Sequence, residues 1–434
     1  METNATRMCT LLVGLPDIVV VGVEDPLGEP IRVHVETTVE IEGCARCGTR
    51  AWVKDRPPVE LVDLPAFGRP ARLVWRKRRW RCPEAACEVG TWTETDLRIA
   101  PARAAMTDRA GRWVTAQVGR EGRTVADVAR ELGCDWHTVM DAVVAYGTPL
   151  LEDPARVGPV TALGLDETLF ARAGRWRIQH WCTSIVDVSS PSQLLDVIPG
   201  RTAAGPTAWI NAQPHAWRAG IAWGVLDLSG PYRKTFTDAL GHATQVADPF
   251  HVIKHANAKL DECRRRVQQE TLGHRGRKTD PLYRSRRLLT RADERLDEVG
   301  RDKLVGLLEA GDPRGEVRLA WHAKETVRGI YAIEDPADAD AFVTELADDM
   351  TDPDHSIEVR SLGRTLRRWH DQIVAWHRAH VSNGPTEAVN NLIKRIKRIG
   401  FGFRRFAHYR LRVLLYAGRP NWDLLATIDP AQIR

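Results

Sequence analysis

The segment Val160-Thr-Ala-Leu-Gly-Leu-Asp-Glu-Thr-Leu-Phe170 decides the fold, because it has the apolar pattern of a strand and carries an acid within it. Working outward, the pattern predicts two further strands at 179–188 and 193–199, after turns at Gly174 and at Ser189-Ser190-Pro191. The chain then predicts, in order, a helix at 203–212, a buried strand at 221–228, a helix at 231–240 and a short strand at 245–248.

This order of elements matches the ribonuclease-H-like fold, with three antiparallel strands followed by helix, strand, helix and strand. In that topology the first and fourth strands are neighbours, so Asp166 and Asp227 would meet at one end of the sheet. A carboxylate within a buried strand is unfavourable unless it is paired or bound to a metal. Asp248, which follows the fifth strand in Asp-Pro-Phe-His251, is the alternative second acid.

A third acid is expected from a distant helix. Glu387 lies in Ser-Asn-Gly-Pro-Thr-Glu-Ala-Val-Asn-Asn, where Pro385 is typical of the first position of a helix. Glu387 would then face the aspartates from the first turn. Three converging carboxylates hold two divalent ions about 3.5–4 Å apart, and Mg²⁺ prefers such oxygen ligands. Asp166 as a structural acid and Glu387 as a partner of the helix dipole are the alternatives.

The stretch between Asp248 and Glu387 has helical periodicity and is rich in arginine. We interpret residues 257–380 as an α-helical insertion into the core. Trp321, Trp369 and Trp376 lie in it, and core packing is the favoured role for each over stacking on a DNA base.

Two cysteine pairs precede the core. Cys44 and Cys47 form a C-x2-C pair, and Cys82 and Cys87 form a C-x4-C pair. Four thiolates suit tetrahedral Zn²⁺, so the spacing predicts a zinc ribbon with a structural zinc ion. Four unrelated buried cysteines are the alternative. Eight cysteines in 434 residues do not indicate a disulfide scaffold.

Residues 107–147 change to a helical pattern. After a helix at 107–120, Thr124 caps a short helix at 125–132, Gly133 makes a turn, and Asp135 starts another helix. This is the plan of a helix-turn-helix, whose second helix enters the major groove of DNA. Its first residues, which we predict to contact DNA, are Trp136, His137 and Thr138. An ordinary helical hairpin is the alternative.

Basic residues are clustered although the net charge is only +5. Clustered Arg and Lys favour a polyphosphate partner, with a solvated surface as the alternative. The predicted DNA contacts in the two clusters are Arg76, Lys77, Arg78, Arg79 and then Lys394, Arg395, Lys397, Arg398, Arg404 and Arg405. We expect the second cluster to hold DNA across the active site.

The bulk composition is that of a folded chain, with 43% hydrophobic and 27% charged residues. No apolar run approaches the length needed to span a bilayer. The apolar segment from Leu11 to Val23, which Pro16 and Asp17 interrupt, predicts strands rather than a targeting signal. We expect a cytoplasmic protein without a membrane partner.

Several sequence blocks now combine into one resemblance, and three are the most specific. These are Val246-Ala-Asp-Pro-Phe-His251, Ser382-Asn-Gly-Pro-Thr-Glu-Ala-Val-Asn-Asn391, and Gly400-Phe-Gly-Phe403 with its Arg-rich tail. With the four cysteines, Leu165-Asp-Glu167 and Leu226-Asp-Leu-Ser-Gly-Pro-Tyr232, they make the chain similar, over nearly its whole length, to transposases of the ISL3 insertion-sequence family.

The resemblance implies DDE chemistry, which is metal-dependent nicking at terminal inverted repeats followed by attack of the freed 3′-hydroxyl on target DNA. It implies catalytic roles for Asp166 and Glu387, while the second aspartate is Asp227 or, as runner-up, Asp248. Double-stranded DNA would be the partner, and a homodimer or higher synaptic assembly is expected because two ends must be joined. The rivals are a transposase-derived regulator that binds DNA without cutting it and a nuclease that cleaves without joining.

The fold class that follows is a multidomain α/β protein. We expect a zinc-ribbon domain at 1–100, a helix-turn-helix at 101–150, and a ribonuclease-H-like core that begins at 158–256. The helical insertion at 257–380 interrupts that core, and residues 381–434 complete it with the helix that carries Glu387.

Overall fold

Two sets of chain segments pack separately in the computed structural model, which describes residues 1–433. Unit 1 contains Met1–Gly158 and the chain from Asn391 onward, and unit 2 contains Pro159–Asn390. The sequence analysis assigned residues 381–434 to the catalytic core, whereas these contacts group the chain after Asn391 with the first 158 residues. The functional domain boundaries stay a prediction.

Unit 1 begins with a four-stranded sheet in the order β1-β2-β5-β4, formed by β1 (Ile18–Glu24), β2 (Ile31–Thr37), β4 (Pro58–Ala66) and β5 (Arg69–Arg76). Strands β2 and β5 are parallel, and the other pairs are antiparallel. Its core contains Val35, Leu61, Leu73 and Trp75, all nearly fully buried. A smaller sheet combines β3 (Trp52–Asp55), β6 (Arg79–Arg81) and β7 (Thr91–Thr93).

The predicted strands at Leu11–Val23 are only partly correct. Residues Ala5–Val13 form helix α1, and the strand begins at Ile18. The helix has both end signals, since the Asn4 side chain accepts a hydrogen bond from the Arg7 amide and Gly14 ends it with φ 66°. These caps outweigh the β-propensity of a short apolar run.

The helical part of unit 1 follows the predicted plan. Its helices are α2 (Asp108–Thr115, continued by a π-helical turn at Ala116–Arg120), α3 (Val125–Leu132), α4 (Trp136–Glu152) and α16 (Phe406–Ala417). Thr124 caps α3, Gly133 ends it at φ 61°, and the Asp135 side chain caps α4. Val128, Leu132 and Val143 are buried in their common core, to which Leu411 and Leu415 of α16 contribute.

Unit 2 is built on a five-stranded sheet in the order β10-β9-β8-β11-β12. Its strands are β8 (Ala162–Ala173), β9 (Ile178–Asp187), β10 (Gln193–Pro199), β11 (Trp223–Leu226) and β12 (Thr244–Ala247). The first three pair antiparallel, whereas β11 is parallel to both β8 and β12. Helices α5 (Ala204–Asn211), α6 (His215–Ala219) and α7 (Gly230–Ala239) connect the strands. The sheet therefore has the element order predicted from the sequence.

A run of helices follows β12. These are α8 (Pro249–Leu272), α9 (Pro281–Thr290), α10 (Glu298–Gly311), α11 (Glu316–Gly329), α12 (Pro336–Asp349), α13 (Ile357–Arg368) and α14 (His370–Ala379). Arg266 links three of them, because its guanidinium lies 2.9 Å from Glu358 and 2.5 Å from Glu316. Trp321 and Trp369 are buried, which agrees with the packing role favoured for them.

Helix α15 (Gly384–Ile399) starts in unit 2 and ends among the residues of unit 1. Within residues 1–433, no helix is both long and apolar enough to cross a membrane.

Candidate active site and metal centre

The strand register brings two acids to the same level of the sheet in unit 2. Leu165 of β8 pairs with Leu226 of β11, so the residues that follow them, Asp166 and Asp227, lie side by side. Because the two strands are parallel, both carboxylates lie at the same edge of this part of the sheet. The predicted convergence of these aspartates therefore follows from hydrogen-bonded pairing.

Helix α15 approaches this edge very closely at Gly164. A Cβ atom on Gly164 would lie only 2.4 Å from Thr386 Oγ1 and 3.0 Å from Asn383 Oδ1. Asn390 Nδ2 donates a hydrogen bond of 2.6 Å to Asp166 Oδ2. The Ser184 hydroxyl donates to Asn390 Oδ1 over 2.8 Å, which fixes the orientation of the amide. The absence of a side chain at residue 164 thus lets the first turns of α15 reach Asp166.

Glu387 lies one helical turn before Asn390, so both side chains are on the same side of α15. Its side chain is 43% exposed, and its Oε1 atom is 4.0 Å from His251 Nε2. Burial raises the pKa of Asp166, and the negative charge of Glu387 raises it further. Glu387 is therefore near enough to Asp166 to act on its charge, as expected for members of one site.

Asp248 has a different environment from the other acids. It caps α8 and is 3% exposed. Its Oδ1 accepts a hydrogen bond from the Asn383 amide over 2.8 Å, and its Oδ2 lies 3.0 Å from His251 Nδ1. The bond to Asp248 raises the pKa of His251. Both oxygens of Asp248 are thus engaged by protein groups, which connect α8 to the segment before α15.

Asp227 has one buried oxygen without a partner. Its Oδ1 atom accepts no hydrogen bond from any group of residues 1–433. Burial raises the pKa of Asp227 to about 6, and the charge of Asp166 adds to the effect. An unsatisfied buried carboxylate is unfavourable, and a bound cation removes the penalty. Asp166, Asp227 and Glu387 therefore fit hard divalent cations such as Mg²⁺.

The acids are spread more widely than the ligands of a single closed metal site. Among residues 1–433, the four cysteines are the only group of three or more His, Cys, Asp or Glu residues whose ligand atoms all lie within 4.8 Å. A spread-out set of oxygens is consistent with two ions about 3.5–4 Å apart, each bound by only some of the acids.

The cysteine cluster has the geometry of a zinc site. Cys44 Sγ is 3.6 Å from Cys87 Sγ, and Cys47 Sγ is 3.5 Å from Cys82 Sγ. Tetrahedral zinc with Zn–S bonds of about 2.3 Å separates its sulfur atoms by about 3.8 Å. Gly48, at φ 73°, turns the chain behind the first pair, so that the Gly48 amide donates to the Cys44 carbonyl over 2.8 Å. Four thiols at these separations fit Zn²⁺.

The predicted DNA contacts at the start of α4 are mostly accessible. Trp136 is 40% exposed and His137 is exposed. The Thr138 hydroxyl instead donates a hydrogen bond of 2.8 Å to the capping carboxylate of Asp135. Two of the three side chains therefore remain available at the surface.

The first basic cluster is largely engaged within the protein. Arg78 is buried beside Glu94 and Glu36, and Arg79 forms an ion pair with Asp55. The Lys77 ammonium lies 4.0 Å above the ring of Trp75. Arg76 is the exposed member of the four, so the prediction that Arg78 contacts DNA is not supported. Buried acids from neighbouring strands neutralise the charges that the sequence pattern assigned to phosphate.

The second basic cluster is presented outward. Its exposed members are Lys394, Arg395, Arg398, Arg404 and Arg405, and Lys397 is partly buried. All six belong to unit 1, together with the helix-turn-helix.

The comparison with known families uses more than half of the chain. Residues 163–413 match the family model of the ISL3 transposases, which is described as "Transposase". The chain belongs to the ISL3 transposase family. Residues 42–87 match the zinc-finger of transposase IS204/IS1001/IS1096/IS1165, and residues 95–147 match the helix-turn-helix domain of transposase family ISL3. The predicted resemblance, zinc ribbon and helix-turn-helix are thereby confirmed.

Full-length relatives agree with this assignment. The transposase for insertion sequence element IS1001 of Bordetella parapertussis is 24% identical over 396 residues, which cover 90% of this chain and 92% of the relative. The transposases for insertion sequence element IS1557 of two Mycobacterium tuberculosis strains are 24% identical over 416 residues, which cover 88% of this chain and 87% of each relative. This ISL3-family chain thus has DNA-binding domains, and its four-cysteine cluster supports a structural Zn²⁺.

Sequence reasoning missed the residues that hold the acids in place. Asn390 occurs in the quoted block around Glu387, and its spacing of three residues was the available signal. Nothing in the sequence marked Gly164 as the point at which α15 approaches β8, because close approach between distant segments is a tertiary property.

Proposed function

We propose that this ISL3-family chain binds the terminal inverted repeats of its own insertion sequence and catalyses metal-dependent DNA cleavage and strand transfer. The observation that carries the proposal is the meeting of Asp166, Asp227 and Glu387 beside the sheet edge, with a buried oxygen of Asp227 left without a partner. The strand order of unit 2 supports a ribonuclease-H-like core, and residues 257–380 would be its helical insertion.

In this proposal Asp166, Asp227 and Glu387 hold two Mg²⁺ ions. When bound, such ions activate an attacking oxygen and stabilise the leaving oxygen of a phosphodiester. Asn390 keeps the Asp166 carboxylate oriented by its hydrogen bond of 2.6 Å. Partners of this kind commonly change metal affinity or activity by about 10–100-fold.

We assign Asp248 a positioning role rather than metal binding. Its two oxygens already accept hydrogen bonds from Asn383 and interact with His251. It would therefore fix the chain that leads to Glu387 and hold His251 near that acid. Between the two candidates for the second catalytic aspartate, its environment favours Asp227.

DNA recognition would involve the zinc ribbon and the first residues of α4. Trp136 and His137 are the exposed candidates for base contacts in the major groove. The exposed basic residues from Lys394 to Arg405 would contact phosphates, together with Arg76. Joining two ends in one event requires two active sites, so we propose a homodimer or larger synaptic assembly that acts in the cytoplasm.

The decisive experiment uses a supercoiled donor plasmid that carries the DNA flanking the coding region, the purified chain and Mg²⁺. We expect joined products from the wild type. Asp166→Asn and Glu387→Gln should abolish nicking and joining while binding to the flanking DNA is retained. Asp238→Asn, which alters an exposed acid paired with Lys234 in the same unit, is the matched control.

Each other outcome has a defined meaning. Nicks without joined products would indicate a nuclease, and binding without nicks would indicate a DNA-binding regulator. Full activity of Asp166→Asn would contradict the proposed site.

A further inference from the structure

A second site lies within unit 1, beside the helix-turn-helix. A cavity of about 540 Å³ opens between the start of α3, the start of α4 and the loop Gly400–Arg405 that leads into α16. Its lining includes Thr124, Arg130, Trp136, Phe403, Arg404 and Arg412. The rings of Trp136 and His408 are 5.9 Å apart, so α4 and α16 contribute to one continuous surface. Residues more than 260 positions apart in sequence thus share this cavity.

A buried cation without a counter-ion lies in the cavity wall. Arg412 is 3% exposed, and its Nη2 donates to the carbonyl oxygen of Arg123 over 3.0 Å. Its guanidinium lies 5.5 Å from the ring of Phe403. No group within residues 1–433 accepts a hydrogen bond from its Nε, and no acid in that range forms an ion pair with it. Burial lowers the pKa of Arg412 to about 10.

An anion is what this arrangement lacks. A buried guanidinium without an acid is unfavourable, and phosphate oxygens are its natural partners. Asp127 also lines the cavity, but its carboxylate accepts a hydrogen bond from Arg130 and is therefore already neutralised. Arg404 and Arg405 add exposed positive charge at the cavity mouth.

The loop beside the cavity has one ring inside and one ring outside. A Cβ atom on Gly400 would lie 2.8 Å from the Phe403 ring, which packs against Tyr409. Phe401 is 95% exposed and has φ 49°, a backbone conformation that non-glycine residues rarely adopt. A strained, fully exposed aromatic residue between basic side chains is typical of a ligand-contact position rather than of packing.

We propose that the loop Gly400–Arg405 and the start of α4 form one composite surface for duplex DNA, in which a backbone phosphate enters the cavity beside Arg412 and Phe401 inserts against a base step in the adjacent groove. This inference rests on the proposed recognition of terminal repeats and adds a second reading element to it. Apolar wedges of this kind are used by proteins that contact the minor groove. The C-terminal basic segment thus belongs to end recognition in unit 1.

The test measures binding of the full-length zinc-loaded chain to fluorescent duplexes cut from the DNA on each side of the coding region, over a series of salt concentrations. Phe401→Ala should weaken binding by at least about fivefold, as loss of an aromatic contact to a base does, without changing the salt dependence. Arg404→Ala/Arg405→Ala should lower the slope of log affinity against log salt by about 1 to 2, since each phosphate contact contributes about 0.9.

The chain supplies a matched control in Phe67→Ala. Phe67 is 92% exposed, has φ 51° and is followed by Gly68 at positive φ, as Phe401 is followed by Gly402. Phe67→Ala should bind like the wild type. Thermal unfolding of every variant should match the wild type, because the altered side chains are exposed.

The outcomes separate this inference from the proposed function. If the wild type prefers the flanking duplexes and both loop variants bind them equally well, the composite surface is refuted while repeat recognition stands. If the wild type does not prefer either duplex over a scrambled one, both are refuted. Displacement of DNA by inorganic phosphate beyond the effect of chloride at equal ionic strength, lost in the double variant, would assign the cavity to a free anion instead.

Discussion

Asparagine at position 227 is expected to stabilise the metal-free chain while it abolishes DNA cleavage. Asp227 follows β11 and is mostly buried, and its Oδ1 accepts no hydrogen bond within the described chain, residues 1–433. Burial and the charge of Asp166 raise its pKa from 3.8 to about 6. Asp227→Asn keeps the shape of the side chain and removes the charge that burial penalises.

The sign and size follow from the same pKa. Below about pH 4 the carboxyl is protonated in the folded and unfolded chain, so it contributes no penalty. Above about pH 6 it is ionised in both, and the penalty is fully present, on the order of 3 kcal/mol as an upper bound. Asp227→Asn should therefore raise the free energy of unfolding of unit 2 by about 1–3 kcal/mol at pH 7.5 and by almost nothing at pH 4.

Calorimetry in EDTA at both pH values measures this. For a unit of this size, each kcal/mol corresponds to about 2–4 °C in Tm. Asp238→Asn, which alters a mainly exposed ion pair, should change Tm by less than about 1 °C. Added Mg²⁺ should stabilise the wild type more than Asp227→Asn. A lower Tm for Asp227→Asn at pH 7.5, or an equal gain at both pH values, would refute the reasoning.

Three further predictions concern the groups around the two metal sites. Asn390→Ala should lower cleavage by about 10–100-fold without changing DNA affinity, because Asp166 loses its orienting amide; unchanged cleavage would contradict this role. Gly164→Ala should destabilise unit 2 by about 1–3 kcal/mol through contact with Thr386, measured by thermal unfolding, whereas Gly306→Ala, with nothing within 4 Å, should not destabilise it. Cys47→Ser should reduce the zinc content measured by metal analysis, whereas Cys9→Ser should leave about one Zn²⁺ per chain; equal zinc in both would exclude the cluster as the site.

The sequence predicted the elements whose signals are local. The helix at 125–132, the turn at Gly133 and the cap at Asp135 agree with the structure, because caps and glycine turns act within a few residues. The adjacency of Asp166 and Asp227 was also predictable, since a parallel pairing of β8 and β11 follows from the order of the elements.

Other features depend on contacts between distant segments. Arg78 belongs to a basic run in sequence, yet its charge is matched by Glu36 and Glu94 from other strands. The segment after Asn391 packs with the N-terminal residues, although its position in sequence suggested the catalytic core. The same holds for the two bonds that occupy Asp248, which no spacing rule could reveal.

Binding of Mn²⁺, followed by electron paramagnetic resonance on the zinc-loaded chain with a flanking duplex, tests the central claim most directly. The account predicts about two Mn²⁺ ions per active site, close enough for their spins to couple. Asp166→Asn, Asp227→Asn and Glu387→Gln should each lose at least one ion, whereas Asp238→Asn should lose none. An unchanged Mn²⁺ count in all three variants would contradict the claim that these carboxylates form one metal site.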